Sequence, residues 1–362
     1  MPFDWPSAVR TRHDGRMVRR SHRVRDVAEQ AGVSEATVDR VLNGRPGVSA
    51  RAVRAVEAAV LELERQQSQV RLSRRTLLVD VVVDAPRRFR DAVTAAVEEA
   101  LPSARPATVR ARFRLSEGAA PEALAAAVDA VGTVGRVSHG LVLKAPDHPI
   151  VAEAVRGARA RGIPTITLVT DVTGSDRVAY VGLDNAAAGA TAAYLLTHLL
   201  GTTDGAVLAT LSHRSFLGEQ ERLATFRERL AADAPGREVV LVGDLHGQDA
   251  ATERAVAAAL ASGPRVAAVY SMGGGNTGIA AALSAAGVTG IPFVGHDLDA
   301  DNLALLHTGV LTVVLHHDLR ADLRVALTQL LRAHRLLPGA AASVHSPPQV
   351  VTPWNVPPRL RA

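Results

Sequence analysis

Residues 24–63, VRDVAEQAGVSEATVDRVLNGRPGVSARAVRAVEAAVLEL, constrain this chain more than any other stretch. The spacing predicts three short helices around a tight turn. The first covers about Arg25 to Ala31 and turns Val27, Ala28 and Ala31 inward. Gly32 ends it, since glycine takes the left-handed conformation of a helix C-cap at little cost. Ser34 is placed to cap the second helix, because its hydroxyl can accept from the free amides of the first turn. That helix, about Glu35 to Leu42, buries Val38, Val41 and Leu42 and leaves Glu35, Ala36, Asp39 and Arg40 outward. Asn43-Gly44 stops it, and Ser49 caps a third. Two helices joined by a short glycine-containing turn, the second with a polar outer face, form a helix-turn-helix. Such a second helix lies in the DNA major groove.

The charge is distributed accordingly. The chain carries +5; residues 1–75 hold fifteen Arg against nine Asp or Glu, a charge of +6, and the remainder carries −1. Arginine at phosphates supplies most non-specific DNA affinity. Arginine abundance by itself says little here, because the chain uses forty Arg and one lysine, Lys144. Residues 1–20 show little apolar periodicity and read as a disordered basic tail, with Met17 as an alternative first residue.

AEQAGVSEATVDRVLNGRPGVS closely resembles the headpiece of LacI-type bacterial transcriptional regulators, whose pattern is DVAxxAGVSxATVSRVLNxxxxVS. The resemblance implies a DNA-facing set of Ser34, Glu35, Ala36, Thr37, Asp39, Arg40 and Asn43. Two departures stand out. The family's Ser before the recognition arginine is Asp39, which can accept from cytosine N4 or orient Arg40. The family's hinge, GYRPNxxARxL, is replaced by ERQQSQVRLSRR at 64–75. Val70 or Leu72 is then expected to supply the minor-groove wedge. The domains expected are the headpiece at 21–64 and a hinge or linker at 65–75.

From Thr76 onward, short β-branched runs alternate with alanine-rich helical stretches. TLLVDVVV (76–83), ATVRARF (107–113), HGLVLKA (139–145), PTITLVT (164–170), AYVGL (179–183), AVLATL (206–211), REVVLVG (237–243), RVAAVYS (265–271), IPFVGH (291–296) and LTVVLH (311–316) read as strands. Near-continuous apolar strands are covered on both faces, which means parallel sheets flanked by helices. The fold class is therefore α/β: an all-α helix-turn-helix headpiece followed by a two-lobed, doubly wound domain. This half resembles the type I periplasmic sugar-binding-protein fold over 76–353. By that resemblance one lobe is about 76–175 with 298–324, the other about 176–297 with 325–353, and 354–362 is a tail.

Ligands of such sheets bind beyond the carboxyl ends of the strands. That rule selects Asp84, with Phe89 just beyond it, Lys144, Asp171, Arg214, Phe216 and His317. Asp184 follows a strand too, and is expected to cap the next helix. Carboxylates with an arginine fork and an aromatic face suit a sugar or polyol. The family places sugar contacts at positions matching Arg222, Asn276 and Asp297.

The chain has no cysteine, hence no disulfide or thiolate metal site. His213 and His316-His317 lack metal-ligand spacing. Gly273-Gly274-Gly275 lacks the Lys-Ser/Thr of a phosphate-binding loop and reads as a tight turn before a helix. No nucleophile-base set is visible, so neither an enzyme nor a cofactor is expected. No apolar run reaches the roughly 18 residues of a membrane span, and no secretory leader is evident. The expectation is a cytoplasmic homodimeric repressor of a near-palindromic operator, with a sugar or polyol as effector. The alternative is a sugar-binding protein, of transport or of the cytoplasm, without DNA regulation.

Overall fold

The computed structural model describes residues 22–73, 75–133 and 137–360. It divides into two compact units, Met1–Arg75 and Thr76–Ala362. The expected tail at 1–20 lies outside the described residues.

In the first unit, α1 (Val24–Ala31), α2 (Glu35–Leu42) and α3 (Ala50–Ser73) close around Val27, Ala28, Val38, Val56 and Ala59. Gly32 sits at φ 63°, the left-handed cap. Ser34 Oγ accepts from the amide of Thr37 at 3.2 Å, and Ser49 Oγ from that of Ala52 at 3.3 Å. The segment read as a linker differs from expectation: α3 stays helical through Ser73. Residues 50–73 contain no Gly or Pro and are rich in Ala, Leu, Glu, Gln and Arg, all strong helix formers. The side chains of Val70 and Leu72 lie outside the described residues, and with them the wedge.

The second unit holds two six-stranded sheets. The first is built from β1 (Thr76–Asp84), β2 (Thr108–Ser116), β3 (Gly140–Lys144), β4 (Thr165–Leu168) and β5 (Ala179–Leu183). The second uses β6 (Ala206–Thr210), β7 (Val239–Val242), β8 (Val266–Ser271), β9 (Phe293–His296) and β10 (Val313–His316). The chain then returns to the first sheet as β11 (Val344–Ser346) and to the second as β12 (Gln349–Val351). The orders are β11-β5-β4-β3-β1-β2 and β12-β10-β9-β8-β6-β7. Every pairing is parallel except β10 with β12.

Helices α4 (Arg87–Ala100), α5 (Pro121–Asp129) and α6 (Pro149–Ala160) cover the first sheet. Helices α7 (Asn185–Leu200), α8 (Leu217–Asp233), α9 (Asp249–Ser262), α10 (Asn276–Ala285) and α11 (Ala300–His307) cover the second. The last helix, α12 (Leu319–Ala333), packs on α4 and β5 and so returns to the first lobe. Each lobe has its own core. Leu141, Leu143, Val151, Val155 and Leu124 fill one; Leu208, Ile279, Phe293 and Val314, with Phe226, Tyr270 and Leu196 on the opposite sheet face, fill the other.

This strand order corrects the expected lobe boundaries. β5 belongs to the first sheet, while α11 and β10 belong to the second lobe. The three crossings therefore fall at Asp184, at His317-Asp318 and at Pro347-Pro348. Two elements had no separate signal: β11 and β12 are three residues each, too short for a period-2 pattern to declare itself. The expected tail is not free either, among its described residues. Val356 is 2% exposed within the second core, and Arg359 pairs with Asp318 at 2.6 Å.

Candidate functional site

On the headpiece, Ser34, Glu35, Ala36, Arg40 and Asn43 are exposed, and Thr37 and Asp39 are half-buried. Together they make a polar face on α2, opposite the buried Val38. Ser34 is occupied as a cap and also meets Thr37 Oγ1 at 2.9 Å. Asp39 accepts from Asn43 Nδ2 at 2.7 Å and pairs with Arg45 at 3.1 Å. The carboxylate thus organises the loop after α2, a role that the expected pairing with Arg40 did not anticipate.

In the second unit, each sheet reverses its winding beside its second-numbered neighbour: β1 lies between β2 and β3, and β6 between β7 and β8. Ligands of doubly wound sheets bind outside such switch points. The two switch points face each other across one cavity of about 170 Å³. From the first lobe come Arg88 and Phe89 at the start of α4, Lys144 at the end of β3, and Thr170. The second lobe supplies Ser212, Phe216, Glu219, Arg222, Met272, Asp297 and Asn302, and the second crossing supplies His317. The lobes meet around it: Arg88 pairs with Asp299 at 3.2 Å, and the Asp147 amide donates to the Ser215 carbonyl at 2.7 Å.

Of the residues selected from sequence, Phe89, Lys144, Phe216, Arg222, Asp297 and His317 line this cavity. Four do not. Asp84 is buried and accepts from Ser116 Oγ at 2.9 Å and the Ala119 amide at 3.1 Å. Its carbonyl receives the Lys144 ammonium at 3.1 Å, so it positions the lysine from behind. Asp171 turns back into its own loop, where it accepts from Thr167 Oγ1 at 2.7 Å and binds Arg177. Arg214 points outward and pairs with Asp244 at 2.9 Å. Asn276 is buried one layer deeper and donates to Asn302 Oδ1 at 2.7 Å. Asn302, which sequence reasoning missed, takes its place at the wall.

Glu219 was also missed, although its signal was present. Glu219, Arg222, Leu223, Phe226 and Leu230 are all buried on α8. Their spacing is that of one helix face, so two charged residues, not paired with each other, continue the apolar stripe toward the cavity. Glu219 accepts from the Ser212 amide at 2.7 Å and from the Ser212 hydroxyl. Arg222 donates to Asn185 Oδ1 at 2.8 Å and to the Met272 carbonyl at 2.7 Å. The Gly273 turn allows this approach, since a Cβ there would lie 2.7 Å from Glu219 Oε2. Gly274 and Gly275 have φ of 92° and 76° and serve the turn into α10.

Burial dominates the electrostatics. It pushes the Lys144 ammonium down to about 8, against the pull of Glu219, Asp84 and Asp297. Burial drives His296 well below the usual histidine value, helped by Arg222. It acts on His317 in the same direction, but the hydrogen bond to Asp322 (2.5 Å) and the nearby Asp297 outweigh it and raise that imidazole. Lys144 Nζ stands 3.9 Å from the centroid of the Phe216 ring and 5.3 Å from that of Phe89. One ring comes from each lobe. The site can thus offer donors, a carboxylate and two aromatic faces to one small ligand.

The family model described as periplasmic binding protein domain matches residues 81–333. The chain belongs to this family. The model described as bacterial regulatory proteins, lacI family, matches residues 23–65, the helix-turn-helix. The chain is therefore a lacI-type headpiece joined to a periplasmic-binding-protein domain. Its headpiece is 56% identical over 54 residues to the HTH-type transcriptional regulator reg1 of Streptomyces lividans. It is 54% identical over 54 residues to the HTH-type transcriptional regulator MalR of Streptomyces coelicolor. Both matches cover 15% of this chain and 15% of the relative's length.

Among solved structures, the fold is similar to GanP, a glucose-galactose binding protein from Geobacillus stearothermophilus. That pair has TM-score 0.69 and 16% identity over 78% of this chain and all of the other. A solute binding protein of Burkholderia graminis in complex with D-arabinose gives 0.69 and 20%, over 78% and 97%. A putative LacI transcriptional regulator from Bacteroides fragilis gives 0.67 and 15%, over 78% and 98%. The chain shares their two-lobed architecture.

Proposed function

We propose that this lacI-type chain is a sequence-specific transcriptional regulator, a repressor, whose affinity for duplex DNA is set by a small sugar or polyol bound between the lobes. One observation carries the reading: a helix-turn-helix with a polar, solvent-facing second helix occurs on the same chain as a cleft whose walls come from two lobes. Ligands that bind one lobe arrangement better than another shift the population between them, and coupling to a second site follows from that difference. The relatives that match the headpiece are named as transcriptional regulators. Some structures of like fold are named for glucose-galactose, for D-arabinose and for myo-inositol. A homodimer on a near-palindromic operator fits the symmetry rule for such motifs. A DNA partner fits a cytoplasmic chain. Among the described residues no helix is long and apolar enough to cross a membrane.

Selection of binding sites from random duplexes by the full chain, followed by titration of the selected site with and without a sugar panel, tests this. A two-fold motif whose affinity changes with one ligand is expected. Binding that is equal on all sequences leaves a ligand-binding protein without operator recognition. Within that assay, Arg40→Ala is expected to cost about 1–3 kcal/mol on the selected site and to relax one base pair per half-site, the value of a bidentate arginine–guanine contact. Equal weakening on random DNA reduces Arg40 to a phosphate contact. Asp39→Ser is expected to change the preferred half-site, because Asp39 holds both Asn43 and Arg45. Selection with that variant decides it, and an unchanged motif rules the role out.

A further inference from the structure

Two buried cations face the cavity without an ion-pair partner. Lys144 is 8% exposed and Arg222 4%. Among the described residues, no carboxylate lies within 4.0 Å of either. Lys144 gives one hydrogen bond to a carbonyl and otherwise meets the two phenyl rings. Arg222 spends Nε and one terminal nitrogen on neutral oxygens. Its other terminal nitrogen has no hydrogen-bond partner among the described residues. The carboxylates nearby are engaged differently. Glu219 turns both oxygens to Ser212 on its own lobe, and Asp299 pairs with Arg88 and caps α11. Asp297 lies 3.6 Å from His317 Nε2 with its side chain 40% exposed.

Buried charges are ordinarily paired, since desolvation without a counter-charge costs several kcal/mol. Here Glu219, Asp84 and Asp297 act on Lys144 from beyond ion-pair distance, and among the described residues neither cation has a counter-charge in contact at the place where a ligand would sit. Resting on the cleft as the effector site, we infer that the effector carries its own negative charge: it is a small polyol acid, with the carboxylate between Lys144 and Arg222 and the hydroxyls toward Asp297 and Asn302. The cavity is small beside the roughly 300–1,000 Å³ of drug-sized pockets, which favours a carboxylate on a sugar-sized body over a bulkier phosphate ester. The lowered Lys144 value agrees, because it marks a charged form short of compensation.

Matched pairs test this by calorimetric titration of the full chain at pH 7: D-gluconate with D-glucose, D-galacturonate with D-galactose, L-arabinonate with L-arabinose, and D-ribose 5-phosphate alongside. At least one acid is expected to bind tenfold or more tightly than its neutral partner. Lys144→Met is expected to erase that preference and Lys144→Arg to keep most of it. The unliganded melting midpoint of Lys144→Met should be no lower than that of the parent, which separates lost binding from lost folding. A neutral sugar that matches or beats its acid overturns the charge assignment and leaves the cleft as a sugar site. No acid binding, an acid preference that survives Lys144→Met, or the phosphate as the sole tight ligand overturns it too. Failure of the cleft itself shows separately, as operator binding that no ligand alters.

Discussion

Raising the pH from 7.5 to 9.5 is expected to stabilise the unliganded chain by about 2 kcal/mol, and Lys144→Met should abolish the gain. The buried ammonium titrates near 8 rather than at its usual 10.5. Below pH 8 both folded and unfolded chains hold the proton, and the folded chain carries the full cost of burying it. Between 8 and 10.5 the folded chain releases a proton that the unfolded chain still binds, so stability rises with pH. The window is clean because Lys144 is the only lysine and the chain has no cysteine. Tyr180 and Tyr270, both pushed up by burial, oppose the trend only where unfolded tyrosine begins to ionise, near pH 10. Urea unfolding at pH 7.5, 8.5 and 9.5 on both proteins measures it. Parallel curves for the two would show that the lysine is not buried as a cation.

Arg222→Ala is expected to lower the stability of the unliganded protein by about 2–4 kcal/mol as well as to abolish the ligand response, because two buried acceptors lose their donor. Those are Asn185 Oδ1 and the Met272 carbonyl. Asn185 in turn donates to Tyr180 Oη at 3.2 Å, and Tyr180 reaches the Val169 and Leu183 carbonyls beside the first crossing. The arginine therefore braces the joint between lobes and lines the cavity at once. Its hydrogen-bond partners do not include Asp297, so the two do not hold the lobe together as a pair. Asp297→Asn is the contrasting variant. Its side chain is 40% exposed, and its φ of 62° suits asparagine. Stability should stay within about 0.5 kcal/mol while the response is lost. Thermal midpoints and operator titrations of both separate the roles. An unchanged midpoint in Arg222→Ala would remove it from the brace.

Much of this architecture could be read in advance for a definite reason. In the headpiece, local signals agree with one another: Gly32 and Ser34 mark the turn, and Val27, Ala28 and Val38 mark the core. Most of the longer strands declared themselves because burial on both faces leaves unbroken apolar runs, as in β1, where six consecutive residues from Val79 to Asp84 are buried, whereas the edge strands β2 and β7 are only partly covered. Lobe membership was not legible, since it depends on which sheet accepts β5 and β10, and both runs are equally apolar. At the cavity, the strand-end rule found residues that project from the sheet ends, Lys144 and His317 among them. It misplaced Asp171 and Arg214 because each has a nearby counter-ion, Arg177 and Asp244, that draws it into its own loop. Glu219 was passed over for its type: a carboxylate on a helix reads as solvent-facing unless its place on the apolar stripe of α8 is given weight.

The two edge strands three residues long, with Pro347-Pro348 between them, set a timetable for synthesis. Prolines cannot donate to a ladder, so the pair ends β11 and frees the chain to enter the other sheet as β12. The first lobe is not complete until Ser346 has been made, nor the second until Val356, whereas the headpiece is built entirely from neighbours in sequence. A ribosome stalled or a protease acting before residue 340 would thus release a chain with a finished helix-turn-helix and two unfinished lobes, both short of an edge strand. Such a fragment should keep a folded DNA-facing helix while being deaf to ligand and exposing sheet edges to other chains. The last dozen residues of the double sheet therefore decide whether both sheets gain their closing edge strands.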